Sequence, residues 1–460
     1  MRVQFPACRQ AGLPRDRYMK TKQKYTTEDF EIEGGRKLHG SVTTNTSKNG
    51  SVGLLCASLL NKGKTTLHGI SRIEEVYRII EVLESIGVKI TWIGKQSIEI
   101  IPPKVFKIKN LNKEAALKTR SIIMFAGPLV HFLPSLSLPH AQGCNLGKRT
   151  VSAHLYGLRD LGIEVRVTNN SYEIHSKKQK AATVIMYEPG DTATENILTA
   201  AALIPGKTTI KFSSSNYMVQ EIAFFLKKLG VKIEHTHLNE LVVHGVKEIN
   251  ADVEYYNSED PIESMMWITA AIATKSKLEI KRCPIDFLEL ELYRLQKMGL
   301  KYKILQRYKS KNNETNLVDL VISPSKLTAP EDKIEAHPYP GINIDNLPFF
   351  GLIAACAEGQ TLIHDWVYEN RAIYLTELNR LGAEVLLADP HRVYVEGPTN
   401  FKPAQVVCPP ALRPSVVIML AMLAAPGTSI LRNVYMVKRG YEDIVERFNK
   451  IGAKIKAIKN

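Results

Sequence analysis

A chain of 460 residues with 44% apolar and 23% charged side chains is too long for one hydrophobic core and ordinary in composition, so two or more globular domains are expected. Its 61 basic and 46 acidic residues leave a net charge of +15. The lysines are dispersed and no aromatic-basic stripe accompanies them, which argues against a nucleic-acid surface and for solvated lysine or small anionic substrates.

Residues 1–28 read as a separate basic extension. Arg2, Arg9, Arg15, Arg17, Lys20, Lys22 and Lys24 carry the charge, and no apolar run marks a secretory signal, so disorder is expected. Met19 is an alternative first residue. The six cysteines (Cys8, Cys56, Cys144, Cys283, Cys356, Cys408) are scattered, with no CxxC pair and no zinc spacing. That pattern implies a reducing compartment, no disulfide framework and no metal. Ser121–Pro139 is interrupted by Pro128, His131 and Pro134, and Pro414–Pro426 is too short to span a bilayer. Both read as buried helices with flanking loops.

From about Phe30 a repeat emerges. Six times an amphipathic helix ends in a large apolar residue, a Gly and another apolar residue, then runs into a strand. The instances are Ile86-Gly87-Val88, Leu161-Gly162-Ile163, Leu229-Gly230-Val231, Met298-Gly299-Leu300, Leu381-Gly382-Ala383 and Ile451-Gly452-Ala453. The Gly fits the left-handed residue that closes a helix, a conformation other residues enter only at a steric cost. Each unit opens with an apolar small-residue helix, a turn and a short strand, as in Leu54–Leu60 followed by Gly63-Lys64-Thr65-Thr66. The Gly-Lys-Thr there is not a phosphate loop: Ser58 stands where the earlier Gly is required, and the turn follows a helix. The pattern predicts helix-strand-helix-strand-strand six times, three units to a domain, with a break near Asn257-Ser258-Glu259-Asp260-Pro261.

One stretch stands apart. Gln142-Gly143-Cys144-Asn145-Leu146-Gly147-Lys148-Arg149 follows Pro134 and Pro139 and precedes a segment of helical spacing, Ser152–Leu161. It reads as a loop that carries a thiol, with two cations four and five positions later. Cations near sulfur favour the thiolate, which suits a nucleophile or an acid–base group. A surface cysteine beside two solvated bases is the bland alternative.

These pieces, in this order, resemble the enolpyruvyltransferases from about Phe30 to the C-terminus. Thr46-Ser47-Lys48-Asn49 looks like their lysine-asparagine motif. Lys118-Thr119-Arg120 with Gly127-Pro128-Leu129 looks like their arginine helix, and Gly143–Arg149 like their cysteine lid. Glu369-Asn370-Arg371, Leu412-Arg413 and Arg439-Gly440-Tyr441-Glu442 look like their C-terminal arginine sites. The resemblance implies an α/β fold of two inside-out α/β barrels, with buried helices and outer sheets. One domain would comprise residues 47–256, the other residues 29–46 plus 257–460.

The implied reaction moves enolpyruvyl from phosphoenolpyruvate to the 3′-hydroxyl of UDP-N-acetylglucosamine and releases phosphate. Addition then elimination needs an acid, a base and fixed cations. By resemblance Cys144 is the proton donor, Asp345 takes the hydroxyl proton, and Lys48 and Asn49 contact phosphoenolpyruvate. Arg149, Arg371, Arg413 and Arg439 complete its anion cage, for which the planar arginine fork is suited. Arg120, Arg149, Thr150, Val151, Ser152, Ala153, Asp345 and Val367 would face the sugar nucleotide. Asp345 also sits where a cap for a helix over 346–355 belongs. The resemblance implies no cofactor, no metal, no nucleic acid, no membrane and no obligate protein partner, and a cytoplasmic setting.

The chain departs from the family at three places. Thr150-Val151-Ser152 stands where Pro-Val-Asp is usual, so a carboxylate facing uracil is lost. Asp191, in Gly190-Asp191-Thr192-Ala193-Thr194, puts a negative charge beside a segment that touches the diphosphate, unfavourable unless it points away. Lys438 replaces an Asp before Arg439. A different nucleotide acceptor, the sister reaction on shikimate 3-phosphate and an inactive nucleotide-binding relative are the alternatives. The absence of a Pro-Gly-Ser-Lys-Ser start counts against the shikimate reaction.

Overall fold

A computed structural model of the chain describes residues 28–140, 151–236 and 239–459. All six unit-closing glycines have positive φ, from 81° at Gly162 to 105° at Gly299. Each turns the chain into a strand; five of these strands start an antiparallel hairpin, for example Lys89–Trp92 with Ser97–Ile101 and Lys232–Thr236 with Glu240–Gly245, and the strand after Gly452, Ile455–Lys459, pairs with Glu28–Gly34. The preceding helices are amphipathic. Glu74–Ser85 buries Val76, Ile79, Ile80, Val82 and Leu83 on one side, each contributing roughly 2 kcal/mol of transfer free energy.

The helices that open the units are buried on all sides. Pro261–Ala273 buries every residue but Ile272. Lys48–Ala57 buries Gly50 through Ala57, and Leu412–Ala424 buries Arg413 through Leu423. Pro261–Ala273, Leu347–Cys356 and Leu412–Ala424 pack against one another. In the other half, Asp191–Ala202 packs on Ala126–Leu129, Ser152–Asp160 and Tyr217–Lys228. Among the described residues six small sheets surround these helices, five of four strands and one of three.

Each four-stranded sheet holds a short parallel strand that the sequence pattern did not reveal. Three of these strands pair across the buried helix that follows them: Thr183–Ile185 with Gly206–Lys211, Ile334–Glu335 with Gly359–His364, and Gln405–Val407 with Gly427–Arg432. The other two are exchanged. Ser41–Thr43 leads into helix Lys48–Ala57 but pairs with Leu278–Pro284, and Val253–Tyr256 leads into helix Pro261–Ala273 but pairs with Thr65–His68. The first strand, Glu28–Gly34, already includes the last residue of the expected extension, and lies between Gly427–Arg432 and Ile455–Lys459.

Because of this exchange the chain passes between the halves twice, and the two passages run side by side. Ser47 N–H donates to the Ser258 carbonyl at 2.7 Å and Asp260 N–H to the Asn45 carbonyl at 2.9 Å. The Asn257 amide donates to the Ser47 carbonyl, Ser51 Oγ and the Gly69 carbonyl at 2.8, 3.0 and 3.0 Å. Asp260 then caps Pro261–Ala273, accepting from Ile262 and Glu263 N–H. Residues 257–261, where the break is expected, form one side of this hydrogen-bonded double strap.

Two elements differ from expectation. The buried helix expected within Ser121–Pro139 is a 3₁₀ segment, Arg120–Phe125, a single turn, Ala126–Leu129, and a strand, Ser135–Pro139. Pro128 lacks the N–H that a longer helix would need there. The helix ending at Gly382 is likewise 3₁₀, Ala372–Leu381.

Candidate active site

The cluster begins at the double strap. Lys48 and Asn49 are the first two residues of helix Lys48–Ala57, started by Ser47, whose hydroxyl accepts from Gly50 N–H at 2.9 Å. Lys48 N–H reaches Asp260 Oδ2 at 3.3 Å, so one acid serves the starts of two helices. The Asn49 amide donates to the Tyr217 hydroxyl at 2.9 Å. Burial pushes the Lys48 ammonium below its usual range; Glu75 and Asp345 oppose the shift, Arg413 and Arg439 add to it. Four ionic groups from four other segments are thus close enough to act on Lys48.

Asp345 is held on the loop before helix Leu347–Cys356. Its N–H donates to Asn343 Oδ1 at 2.9 Å. Its carboxylate lies 3.4 Å from Arg413 Nη2 and 3.9 Å from Arg371 Nη1. The cap of Leu347–Cys356 is Asn346, without a side-chain cap bond, so Asp345 does not cap that helix.

The arginines are rigidly held. Arg413, 5% exposed, donates from Nη1 to the Tyr441 hydroxyl at 2.6 Å. Arg371, 3% exposed, donates from Nε to Asp365 Oδ2 at 2.5 Å and stacks 4.2 Å from the Tyr368 ring. Arg371 Nη2 and Asp365 Oδ1 are buried with no hydrogen-bond partner among the described residues. A buried, unspent guanidinium donor costs free energy until an anion accepts from it. Arg439 closes a helical turn, Tyr435–Lys438, and donates from Nε to Glu75 Oε2 at 2.8 Å.

The remaining candidates lie on neighbouring elements. Arg120 begins the 3₁₀ segment after Thr119, whose hydroxyl donates to Glu75 Oε1 at 2.7 Å. Val151 and Ser152 start helix Ser152–Asp160 and Ala153 is buried in it; His154 meets Asn196 of Asp191–Ala202 at 3.1 Å. Val367 is 39% exposed, beside Trp366, whose indole N–H donates to the Ala336 carbonyl at 2.6 Å on the chain leading to Asp345. Cys144, Lys148, Arg149 and Thr150 lie outside the described residues. Asp191, the departure of most concern, has its carboxylate taken up by Ser214 Oγ at 2.5 Å and Asn216 Nδ2 at 2.9 Å.

Sequence reasoning missed Glu75, Tyr217, Asp260 and Asp365. Glu75 left a signal: it is in phase with Ile79, Val82 and Leu83 on the buried face of its helix, where a lone acid needs a partner. Tyr217 and Asp365 carried none, because their partners are distant in sequence.

Residues 32–448 match the model of the family described as EPSP synthase (3-phosphoshikimate 1-carboxyvinyltransferase). The chain belongs to this enolpyruvyltransferase family. Among curated relatives, the UDP-N-acetylglucosamine 1-carboxyvinyltransferase of Bradyrhizobium diazoefficiens is 30% identical over 93% of this chain and 98% of its own length. Its counterpart in Gloeobacter violaceus is 31% identical over 94% of this chain and 91% of its own length. Of solved structures, the enolpyruvyl transferase NikO from Streptomyces tendae has a TM-score of 0.80 at 23% identity, covering 95% of this chain and 100% of its own. EPSP synthase from Acinetobacter baumannii has a TM-score of 0.72 at 17% identity, covering 94% of this chain and 100% of its own. These two share the two-domain α/β fold of the family. No helix among the described residues is long and apolar enough to cross a membrane.

Proposed function

We propose that this chain is an enzyme that transfers enolpyruvyl from phosphoenolpyruvate to the 3′-hydroxyl of UDP-N-acetylglucosamine, the first committed step of peptidoglycan precursor synthesis in the cytoplasm. The observation that carries the reading is the convergence of Lys48, Asp345, Arg371 and Arg413, with a buried Arg371 donor that has no partner among the described residues. Curated relatives named for this activity match nearly the whole chain. We read residues 47–256 as one inside-out α/β barrel and residues 29–46 with 257–460 as the other; the exchanged strands and double strap support that division.

In this reading Lys48, Asn49, Arg149, Arg371, Arg413 and Arg439 hold the phosphate and carboxylate of phosphoenolpyruvate. Arg120, Arg149 and Thr150–Ala153, with Asp345 and Val367, hold the sugar nucleotide. Asp345 takes the proton of the 3′-hydroxyl as its oxygen bonds to the enol carbon, while Cys144 gives a proton to the methylene carbon. The saturated adduct then loses a proton from that methyl group and expels phosphate, which restores the double bond. Flanking arginines favour charge build-up on the leaving phosphate.

The test is phosphate release from phosphoenolpyruvate with UDP-N-acetylglucosamine, shikimate 3-phosphate and UMP compared as acceptors. Release that requires UDP-N-acetylglucosamine is expected. Release with shikimate 3-phosphate or UMP alone would overturn the reading.

A further inference from the structure

We propose that Asn216 and Asn343 are positioning residues for Asp345: a hydrogen-bond chain from Asp191 through both asparagines to the Asp345 backbone orients that residue when the two halves meet. The inference rests on the reading of Asp345 as the base. Asp191 Oδ2 accepts from Asn216 Nδ2 at 2.9 Å. Asn216 Oδ1 accepts from Asn343 Nδ2 at 3.3 Å, and Asn343 Oδ1 accepts from Asp345 N–H at 2.9 Å. Both asparagines are buried, at 4% and 7% exposure.

The polarity of this chain is fixed from both ends. Asp345 N–H can only donate, so Asn343 must turn its oxygen there and its NH₂ toward Asn216. Asn216 must then offer oxygen, which also accepts from Tyr217 N–H at 2.8 Å, and its NH₂ is left for the Asp191 carboxyl. Reversing either amide would set donor against donor in a buried site. A second anchor holds the loop: Glu291 Oε1 accepts from Asn343 N–H at 3.0 Å and from the Asn346 amide at 2.9 Å.

The link that joins the halves is the longest of the three. Asn216 precedes helix Tyr217–Lys228 of the first half, and Asn343 lies on the Asp345 loop of the second, 127 positions away. Drawing the halves apart would break this bond and leave the turn at Asn343 with one anchor fewer. Asp345 is then no longer held at its geometry beside Arg371 and Arg413, and a base misplaced by an ångström loses much of its effect. Proton abstraction is thereby tied to closure over the substrates.

Serine substitutions cut the link, Asn343→Ser alone and Asn216→Ser together with the bond to Asp191. Asn216→Ser retains a good helix cap, and Asn343→Ser retains an acceptor for Asp345 N–H, but neither reaches across. Each is expected to lower kcat tenfold or more with both KM values within about threefold, with the melting temperature lowered by the few degrees that a lost buried hydrogen bond costs. The double variant is expected to be no worse than the weaker single, because both remove one connection. A kcat within twofold of the unsubstituted chain, losses that multiply, or a loss carried by KM would each overturn the proposal. Hydrogen exchange across residues 341–346 gives a readout independent of the reaction. Protection there should fall in Asn216→Ser, and unchanged protection would also overturn the link. If the unsubstituted chain releases no phosphate, the proposed reaction fails, and the exchange result alone decides the link.

Discussion

Arg439 binds Glu75 across 364 positions of sequence, with Nε at 2.8 Å and Nη2 at 2.6 Å from the same oxygen, Oε2. The other oxygen accepts from the Thr119 hydroxyl. Burial pushes this carboxyl up, but Lys48 and Arg439, with those hydrogen bonds, hold it below its ordinary 4.5. The arginine proposed for the anion site is thus oriented by an acid from the opposite half.

Glu75→Gln is expected to destabilise the chain by roughly 3 kcal/mol at neutral pH, the order found when one partner of a buried pair is removed. Because the folded value is depressed, the contribution is complete above 4.5 and is lost as pH falls through the lower folded value. Denaturant midpoints of both proteins, measured from pH 7 downward, should keep a constant gap to about 4.5 and converge below it. A gap that widens in acid would contradict the assignment.

Lys48 should define an alkaline limb. Its ammonium is held below the ordinary 10.5, chiefly by burial, so kcat/KM for phosphoenolpyruvate should fall with rising pH before an exposed lysine would titrate. Lys48→Arg, which stays charged, should move that limb to higher pH. A limb unchanged by the substitution belongs to another group.

Asp345→Asn should spare acceptor binding and lower turnover on the order of a hundredfold, within the range for loss of a general base. The helix that follows takes no cap from this side chain, so any fall in melting temperature should come from the lost pairing with Arg413 and Arg371. Turnover within threefold of the unsubstituted enzyme would remove Asp345 from the role of base.

Cys144 should be the site of covalent labelling by the epoxide phosphonate fosfomycin. The neighbouring Lys148 and Arg149 favour its thiolate, the form that opens epoxides. The four described cysteines offer no competition. Burial pushes the Cys283 and Cys356 thiols up to about 12 and that of Cys408 to about 11, and raises Cys56 further. Intact-mass and peptide spectra should show one adduct, on Cys144, absent from Cys144→Asp. An adduct on any other cysteine would be the contrary result.

The repeat was legible because its determinants are local. Gly87 or Gly452 closes a helix through its own backbone freedom, and the apolar phase of Glu74–Ser85 is set within a few turns. Lys48, Asn49, Arg371, Arg413 and Arg439 were legible as motif residues at matched positions. The exchanged strands were not, since Ser41–Thr43 and Val253–Tyr256 are each ordinary three- or four-residue strands whose partners lie in the other half.

The six units and their glycine closures follow from interactions within a few turns of chain, and the residues proposed for the anion site are named in the sequence by type and spacing. Their partners come from the fold: Glu75 for Arg439, Tyr217 for Asn49, Arg413 for Asp345 rather than a helix cap, and Asn216 for Asn343. A buried charge or amide must find a partner, but which one depends on how distant segments come together around the double strap, and local propensity carries no record of that.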